Sequence, residues 1–406
     1  MQKITIKILP GKFNKADGTY DLKQALLLSG KIGGMCYLQG DFSSIENEDE
    51  NKTIRRIVNT IDNRHHSVYD HLYLNLEIEG LPKILAMILN NEKAYATSEK
   101  SARYTHIDET TGVSDREIKL YNKWNDILAN AIKDKYSSVF DERRIKKLAQ
   151  ENARYMVSIF MPTKMAYSTS LRQINYIYHW FNSYINNAHS EIEKKIASSM
   201  KEFNEALVNS NVIITDLKNV FDSVNAGIVL SDGKNRGISL FANTFDGEEE
   251  IYSNIYNITY YASGAYLAQA QRHRTISYQM ILENTHKFYI PEIIKDNEDL
   301  VNQWNADMES ISNLFPQGML FKIKETGSYD AFILKCKERL CTFAQLEINN
   351  VTKDIISKYS ESLNVRSHPL KDDIKHYVKG ARCTFPCYKC DSPCNFAEGI
   401  KLTRLI

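Results

Sequence analysis

Twice along this 406-residue chain the hydrophobic pattern passes from strand-like alternation to long helical periodicity, and that repeated order restricts the fold more than any other feature. In the first block, residues 73–79 (YLNLEIE) alternate apolar and polar side chains as a half-buried strand does. Pro82 opens a helical stretch to Leu89, and helical periodicity returns over 115–135, 142–160 and 167–207, with Pro162 as a break. The second block runs in the same order: a β-prone, Tyr-rich run over 251–261, a helix from near Ser263, then helices over 301–314 and 329–360. Between them, Ser231-Asp232-Gly233 and Asp246-Gly247 carry the turn chemistry of a connector.

This order raises internal duplication. Two local matches support it. Ala188 to Ile192 (AHSEI) resembles Ala344 to Ile348 (AQLEI), and Pro162 and Pro316 precede those segments by similar distances. The expected fold class is α/β (α+β), a β-sheet packed with long helices and present in two tandem copies. The expected divisions are a first repeat at 1–210, a connector at 211–239, a second repeat at 240–365 and a Cys-rich tail at 366–406.

Composition narrows the function classes. With 51 Lys+Arg against 50 Asp+Glu the net charge is +1, so no long-range field holds a polyanion, and no local basic patch stands out. No apolar run approaches the ~20 residues that span a bilayer. The first residues alternate (Ile4, Ile6, Ile8) and lack the apolar stretch of a signal peptide, so the expectation is a cytoplasmic protein without nucleic-acid or membrane partners. In a reducing compartment the seven cysteines are not expected to form disulfides.

Two charged segments carry the chemistry. The second block contains Gln269, then Arg272-His273-Arg274, then Ser277; like charges so close repel unless an anion or polar partner lies between them. The first block contains Glu99, Ser101, Ala102 and Arg103, where a hydroxyl, a backbone N–H and a guanidinium can share one phosphate.

Together these residues resemble the signature of the flavin-dependent thymidylate synthases, R-H-R-x-x-S-x-x-x-x-S-x-R preceded by Gln, divided between the two blocks. Gln269, Arg272, His273, Arg274 and Ser277 match its first half, while Leu282 and Asn284 occupy the later Ser and Arg positions. Glu99, Ser101 and Arg103 match its second half, while Asn91, Glu92, Lys93 and Ala96 occupy the earlier positions. His65, Ser67, Asp70 and His71 resemble the family's flavin-contacting segment, and Arg154 and Arg172 fall on its substrate- and flavin-contacting arginines. Arg339, ahead of Ala344-Gln345, falls on a further conserved arginine; Ser183 and Ser312 stand at the paired positions of the opposite blocks.

The resemblance implies an enzyme that methylates dUMP to dTMP with methylenetetrahydrofolate as carbon donor and NADPH reducing FAD. It implies nucleotide binding by Glu99, Ser101, Ala102, Arg103, Arg154, Gln269 and Arg272, a catalytic Arg339, and flavin binding by His65, Ser67, Arg172, Arg272, His273 and Arg274. Because the family builds its sites between subunits of a homotetramer, a duplicated chain is expected to form a homodimer as a pseudo-tetramer, with one composite site kept and the reciprocal one lost. The alternatives are a related C5 one-carbon transfer on another pyrimidine nucleotide, or a nucleotide- and flavin-binding protein without catalysis. Departures at Ser170 and Tyr176, where the family has Asn, bear on flavin affinity.

Outside the repeats, Cys383, Cys387, Cys390 and Cys394 lie at intervals that can close on Zn²⁺ or an iron–sulfur cluster.

Overall fold

The computed structural model describes residues 3–38, 41–101, 103, 105–218, 240–241, 250–391, 394 and 403–406. Most of the expected connector, and Ala102, lie outside the described residues. The architecture is mixed α and β. It divides into two compact units, the first formed by Met1–Lys100 with Pro162–Ser239, the second by Ser101–Met161 with Leu240–Ile406.

The first unit holds a four-stranded sheet of β1 (Thr5–Ile8), β2 (Tyr73–Pro82), β3 (Tyr95–Glu99) and β4 (Pro162–Ser170). Its order is β1-β2-β4-β3, and every pairing is antiparallel. In β2 the expected alternation is met: Leu74, Leu76 and Ile78 are buried while Tyr73, Asn75 and Glu77 are not, so one face of the sheet meets the core. Helices Leu22–Gly34, Glu50–Asp62, Lys83–Leu89, Leu171–Asn186 and Glu191–Asn209 belong to this unit.

Two expected helices are shorter than their periodicity suggests. Residues 167–170 complete β4, because Thr163, Met165, Tyr167 and Thr169 turn inward with period two. Ser170 then starts the helix by accepting from Gln173 N at 3.1 Å, and a second helix begins after Ser190, whose capping box with Glu193 interrupts the run. Likewise the helix Glu142–Ala153 stops before a short 3₁₀ turn at Arg154–Met156.

The second unit holds a three-stranded antiparallel sheet of β5 (Ile255–Ser263), β6 (Ser277–Met280) and β7 (Leu320–Ser328), in the order β5-β7-β6. A helix, Gly264–Ala270, follows β5 as Lys83–Leu89 follows β2. The registers also correspond. Pro82 faces Pro162 and Leu81 faces Thr163 in one sheet; Ser263 faces Leu320 and Ala262 faces Phe321 in the other. On the opposite side, Ala96–Ser168 and Glu99–Met165 have counterparts in Ser277–Thr326 and Met280–Ile323. One offset for each strand relates these pairs, but a register shift between Ile78 and Leu81 displaces the rest of β2 by one residue relative to β5.

Helices Asp115–Tyr136, Glu142–Ala153 and Glu298–Glu309 form an apolar core in this unit around Tyr121, Trp124, Leu128, Trp304 and Met308. The rings of Trp124 and Trp304 meet edge to face with centroids 4.8 Å apart, and their indole N–H groups reach Asp307 and the Tyr289 carbonyl at 2.8 and 2.9 Å. A second core gathers Tyr256, Phe332 and Tyr359 beneath helices Tyr329–Arg339 and Leu346–Val365. Among the described residues no helix is long and apolar enough to cross a membrane.

Candidate active site

The helix Leu346–Val365 begins at Gln345, whose side chain makes no cap bond to its own helix because it is used elsewhere. Its carbonyl Oε1 accepts from Arg154 Nη2 at 2.5 Å and from the Gln269 amide, while its Nε2 donates to Tyr155 Oη at 2.5 Å. Tyr155 in turn donates to Glu347 Oε2 at 2.8 Å, and Glu347 accepts from Ser263 N at 2.8 Å and Ser263 Oγ at 2.6 Å. Gln269, Arg154, Tyr155, Gln345 and Glu347 are all buried, so each bond counts at interior strength. Burial raises the Glu347 carboxyl pKa, against the pull of its Ser263 and Tyr155 donors and of Arg154.

Arg103 approaches the same turn from the first block. Its Nη2 lies 2.8 Å from Glu151 Oε2 and 3.0 Å from the Phe343 carbonyl. Glu151 is buried on the helix that ends beside Arg154, and Arg154 Nε donates back to the Glu151 carbonyl at 3.1 Å. Burial lowers the Arg154 pKa. Ser101 is partly buried, and its carbonyl accepts from Thr105 Oγ1 at 3.0 Å.

Arg339 closes the other side, in the last turn of Tyr329–Arg339. It donates through Nε to His273 Nε2 at 2.8 Å and through Nη2 to the Gln269 carbonyl at 3.2 Å, while Asn349 holds the Arg339 carbonyl at 2.9 Å. His273 is driven down to about 2 by burial first, then by Arg339 and Lys335. It is therefore a neutral imidazole whose Nε2 accepts, leaving the proton on Nδ1. Arg272 and Arg274 flank it at exposed positions. The structure thus brings Arg103 and Arg154 of the first block together with Gln269, His273 and Arg339 of the second, inside one unit of one chain.

The remaining residues lie in the first unit. Arg172 pairs with Asp70, Nη2 to Oδ2 at 2.5 Å and Nε to Oδ1 at 3.0 Å, and its guanidinium lies 5.7 Å from the Tyr176 ring centroid. Ser170 Oγ also donates to Asp70 at 2.7 Å. His65 and Ser67 are exposed on either side of His66, which is buried with Nδ1 2.8 Å from Tyr176 Oη. Glu99 sits on β3, its carboxylate 2.5 Å from Lys83 Nζ with both side chains nearly sealed from solvent.

Cys383, Cys387, Cys390 and Cys394 are the tail cysteines expected to hold a metal ion. Among the described residues no three His, Cys, Asp or Glu side chains are gathered as a metal ion requires. The run is anchored by its aromatics instead. Phe385 is buried in the core beside Tyr359, and the Arg382 guanidinium stacks 4.3 Å from the Tyr388 ring centroid.

Residues 24–207 match the family described as thymidylate synthase complementing protein. A flavin-dependent thymidylate synthase from Pyrococcus furiosus is 25% identical over 143 residues, 33% of this chain and 57% of that protein. Another, from Thermococcus onnurineus, is 25% identical over 120 residues, 28% of this chain and 47% of that protein. Over residues 24–207 the chain is similar to this family. It spans about half the length of the curated relatives it matches. Among solved structures, thymidylate synthase X from Helicobacter pylori with FAD and dUMP shares 17% identity with a TM-score of 0.28, covering 51% of this chain and 98% of its own. The UMP/dUMP methylase PolB from Streptomyces cacaoi bound with 5-Br dUMP shares 13% with a TM-score of 0.33, covering 53% and 94%.

The family match ends at residue 207, so Gln269, Arg272, His273, Arg274 and Arg339 lie beyond it. Gln345, Tyr155 and Glu347, which join the two blocks, carry no sequence signal as a set. Gln345 and Glu347 fall in the repeated segment AQLEI, but nothing local pairs them with Tyr155.

Proposed function

We propose that this protein methylates dUMP to dTMP, with methylenetetrahydrofolate as carbon donor and NADPH as reductant, at a site composed from both blocks. The observation that carries the reading is the junction at Gln345, which accepts from Arg154 and Gln269 at once while Arg339 lies on the Gln269 carbonyl. Residues from the two half-signatures, which the sequence separates by more than a hundred positions, share one polar network. Ser101, Arg103 and Arg154 supply forked donors for the nucleotide phosphate, and Gln269 and Arg272 fix the nucleotide from the second block. Arg339 lies beside the uracil, where a guanidinium held by His273 stabilises charge that develops as C5 attacks the one-carbon donor. Glu99 and Ala102 accompany Ser101 and Arg103 in sequence, with the Glu99 carboxylate engaged by Lys83.

The residues assigned to FAD fit an anionic cofactor. Arg172, Arg272 and Arg274 offer guanidinium groups that are not fully buried, and His65 and Ser67 add exposed polar side chains. His273 keeps only its Nδ1 proton for this purpose. FAD, when bound, supplies the redox chemistry, while the chain supplies binding and electrostatics. Corresponding strand registers further support descent of 1–210 and 240–365 from one ancestral unit, and two such chains would form a pseudo-tetramer.

Release of tritium from 5-tritiated dUMP, with folate donor, NADPH and FAD, tests the reading. Release together with dTMP is expected. Release without dTMP would indicate another C5 one-carbon transfer, and a flavin-coloured protein that releases none would leave only binding.

A further inference from the structure

Residues 403–406 return from the tail to the candidate active site. Ile406 is buried in the core around Trp124 and Trp304, and Tyr136 ties the segment down, donating to the Thr403 carbonyl at 2.6 Å and accepting from Leu405 N at 3.0 Å. This docking delivers Arg404. Its Nη2 donates to the Ala344 carbonyl and its Nε to a terminal carboxylate oxygen of Ile406 at 2.7 Å. Three arginines from distant parts of the chain therefore converge on three consecutive residues: Arg103 on Phe343, Arg404 on Ala344 and Arg154 on Gln345.

Three guanidinium groups crowd this turn. Glu151 is the carboxylate that faces all three arginines, directly for Arg103 and through space for Arg154 and Arg404. Its Oε2 serves Arg103, while its Oε1 is buried without a hydrogen-bond partner among the described residues. Glu347, the next nearest acid, is pushed by burial toward its neutral form. The Nη1 of Arg404 is likewise sealed from solvent with no hydrogen-bond partner among the described residues, although Arg404 as a whole is partly exposed. A buried guanidinium N–H left unpaired is costly and calls for a further acceptor. The turn also ends at the start of the twenty-residue helix Leu346–Val365, whose first N–H groups favour negative charge.

We propose that Arg404 is the third arginine of a phosphate-monoester pocket with Arg103 and Arg154, so that the tail segment 403–406 completes the nucleotide site. This deepens the proposed function and rests on it only for the identity of the base. Nothing in the signature motif points to Arg404, which lies outside both repeats.

Binding of dUMP, deoxyuridine and inorganic phosphate to the full chain and its Arg404→Ala and Arg404→Lys variants tests this, by calorimetry and by ligand-induced shifts in melting temperature. Loss of one charge-assisted forked contact should weaken dUMP binding by roughly 10- to 100-fold in Arg404→Ala and less in Arg404→Lys, with deoxyuridine affinity unchanged. Equal dUMP affinity in all three proteins would overturn the proposal, as would a parallel loss of dUMP and deoxyuridine. If Arg404→Ala does not fold, the Lys variant decides alone: dUMP affinity several-fold weaker than wild type supports the pocket, and wild-type affinity refutes it. If wild type ignores dUMP but is stabilised by inorganic phosphate, and Arg404→Ala loses that stabilisation, the anion pocket stands and the uracil reading falls.

Discussion

Arg339 Nε donates to His273 Nε2 across 2.8 Å, joining the end of one helix to the turn that follows another. A histidine that accepts from an arginine must stay neutral, and burial ensures it. His273→Ala should free the guanidinium to rotate, lowering kcat about 10- to 100-fold with a smaller effect on KM for dUMP, as loss of a transition-state contact requires. His273→Gln, whose carbonyl can accept the same bond, should recover part of the loss. Equal defects in both variants, or a defect confined to KM, would remove the positioning role.

The same histidine gives stability a pH dependence. Its folded pKa of about 2 lies below the ordinary value of about 6.5, so the unfolded chain binds the extra proton first on acidification. The contribution is complete above pH ~6.5 and is lost as pH falls, at up to about 1.4 kcal/mol per pH unit. Urea melts from pH 7 to 5 should show a shallower decline for His273→Gln than for wild type.

Tyr155 bridges Gln345 and Glu347 through one hydroxyl. Tyr155→Phe keeps the packing but leaves a buried amide and a buried carboxyl each short of a partner, at a cost of about 1–3 kcal/mol. A lowered melting temperature is expected, with reduced dUMP affinity because Gln345 also orients Arg154. Unchanged stability would mean that water replaces the hydroxyl.

Arg103 bonds to the Phe343 carbonyl of its own chain, in the unit that also contains Arg272. Arg103→Ala and Arg272→Ala should each abolish activity, and mixing the two inactive proteins should restore none, since no site in the mixture would hold both arginines. Recovery on mixing, after demonstrated subunit exchange, would show that sites are completed between chains.

Local pattern identified the elements whose environment is one-sided. The alternation in β2 is a short-range effect of the pleat and is legible in sequence, whereas the caps at Ser170 and Ser190 are equally local but hidden by the continuous apolar periodicity of 167–207. Residues 167–170 were harder, because Tyr and Thr also suit the apolar periodicity of the helix that follows; pairing with β2 and β3 decides for strand. The cysteine spacing suggested a metal centre, but spacing does not say where the flanking aromatics anchor, and Phe385 docks in the core.

Sequence by itself determined the kinds of side chain present: a divided signature rich in guanidinium, amide and imidazole groups, set in two similar successions of strand and helix. Only the tertiary structure decided that Arg103, Arg154, Arg339 and Arg404 share one neighbourhood, with Glu151, Gln345 and His273 between them. The reason is physical. Propensity and periodicity are set by neighbours along the chain, whereas a buried arginine is satisfied by whatever acceptor the packing brings to it.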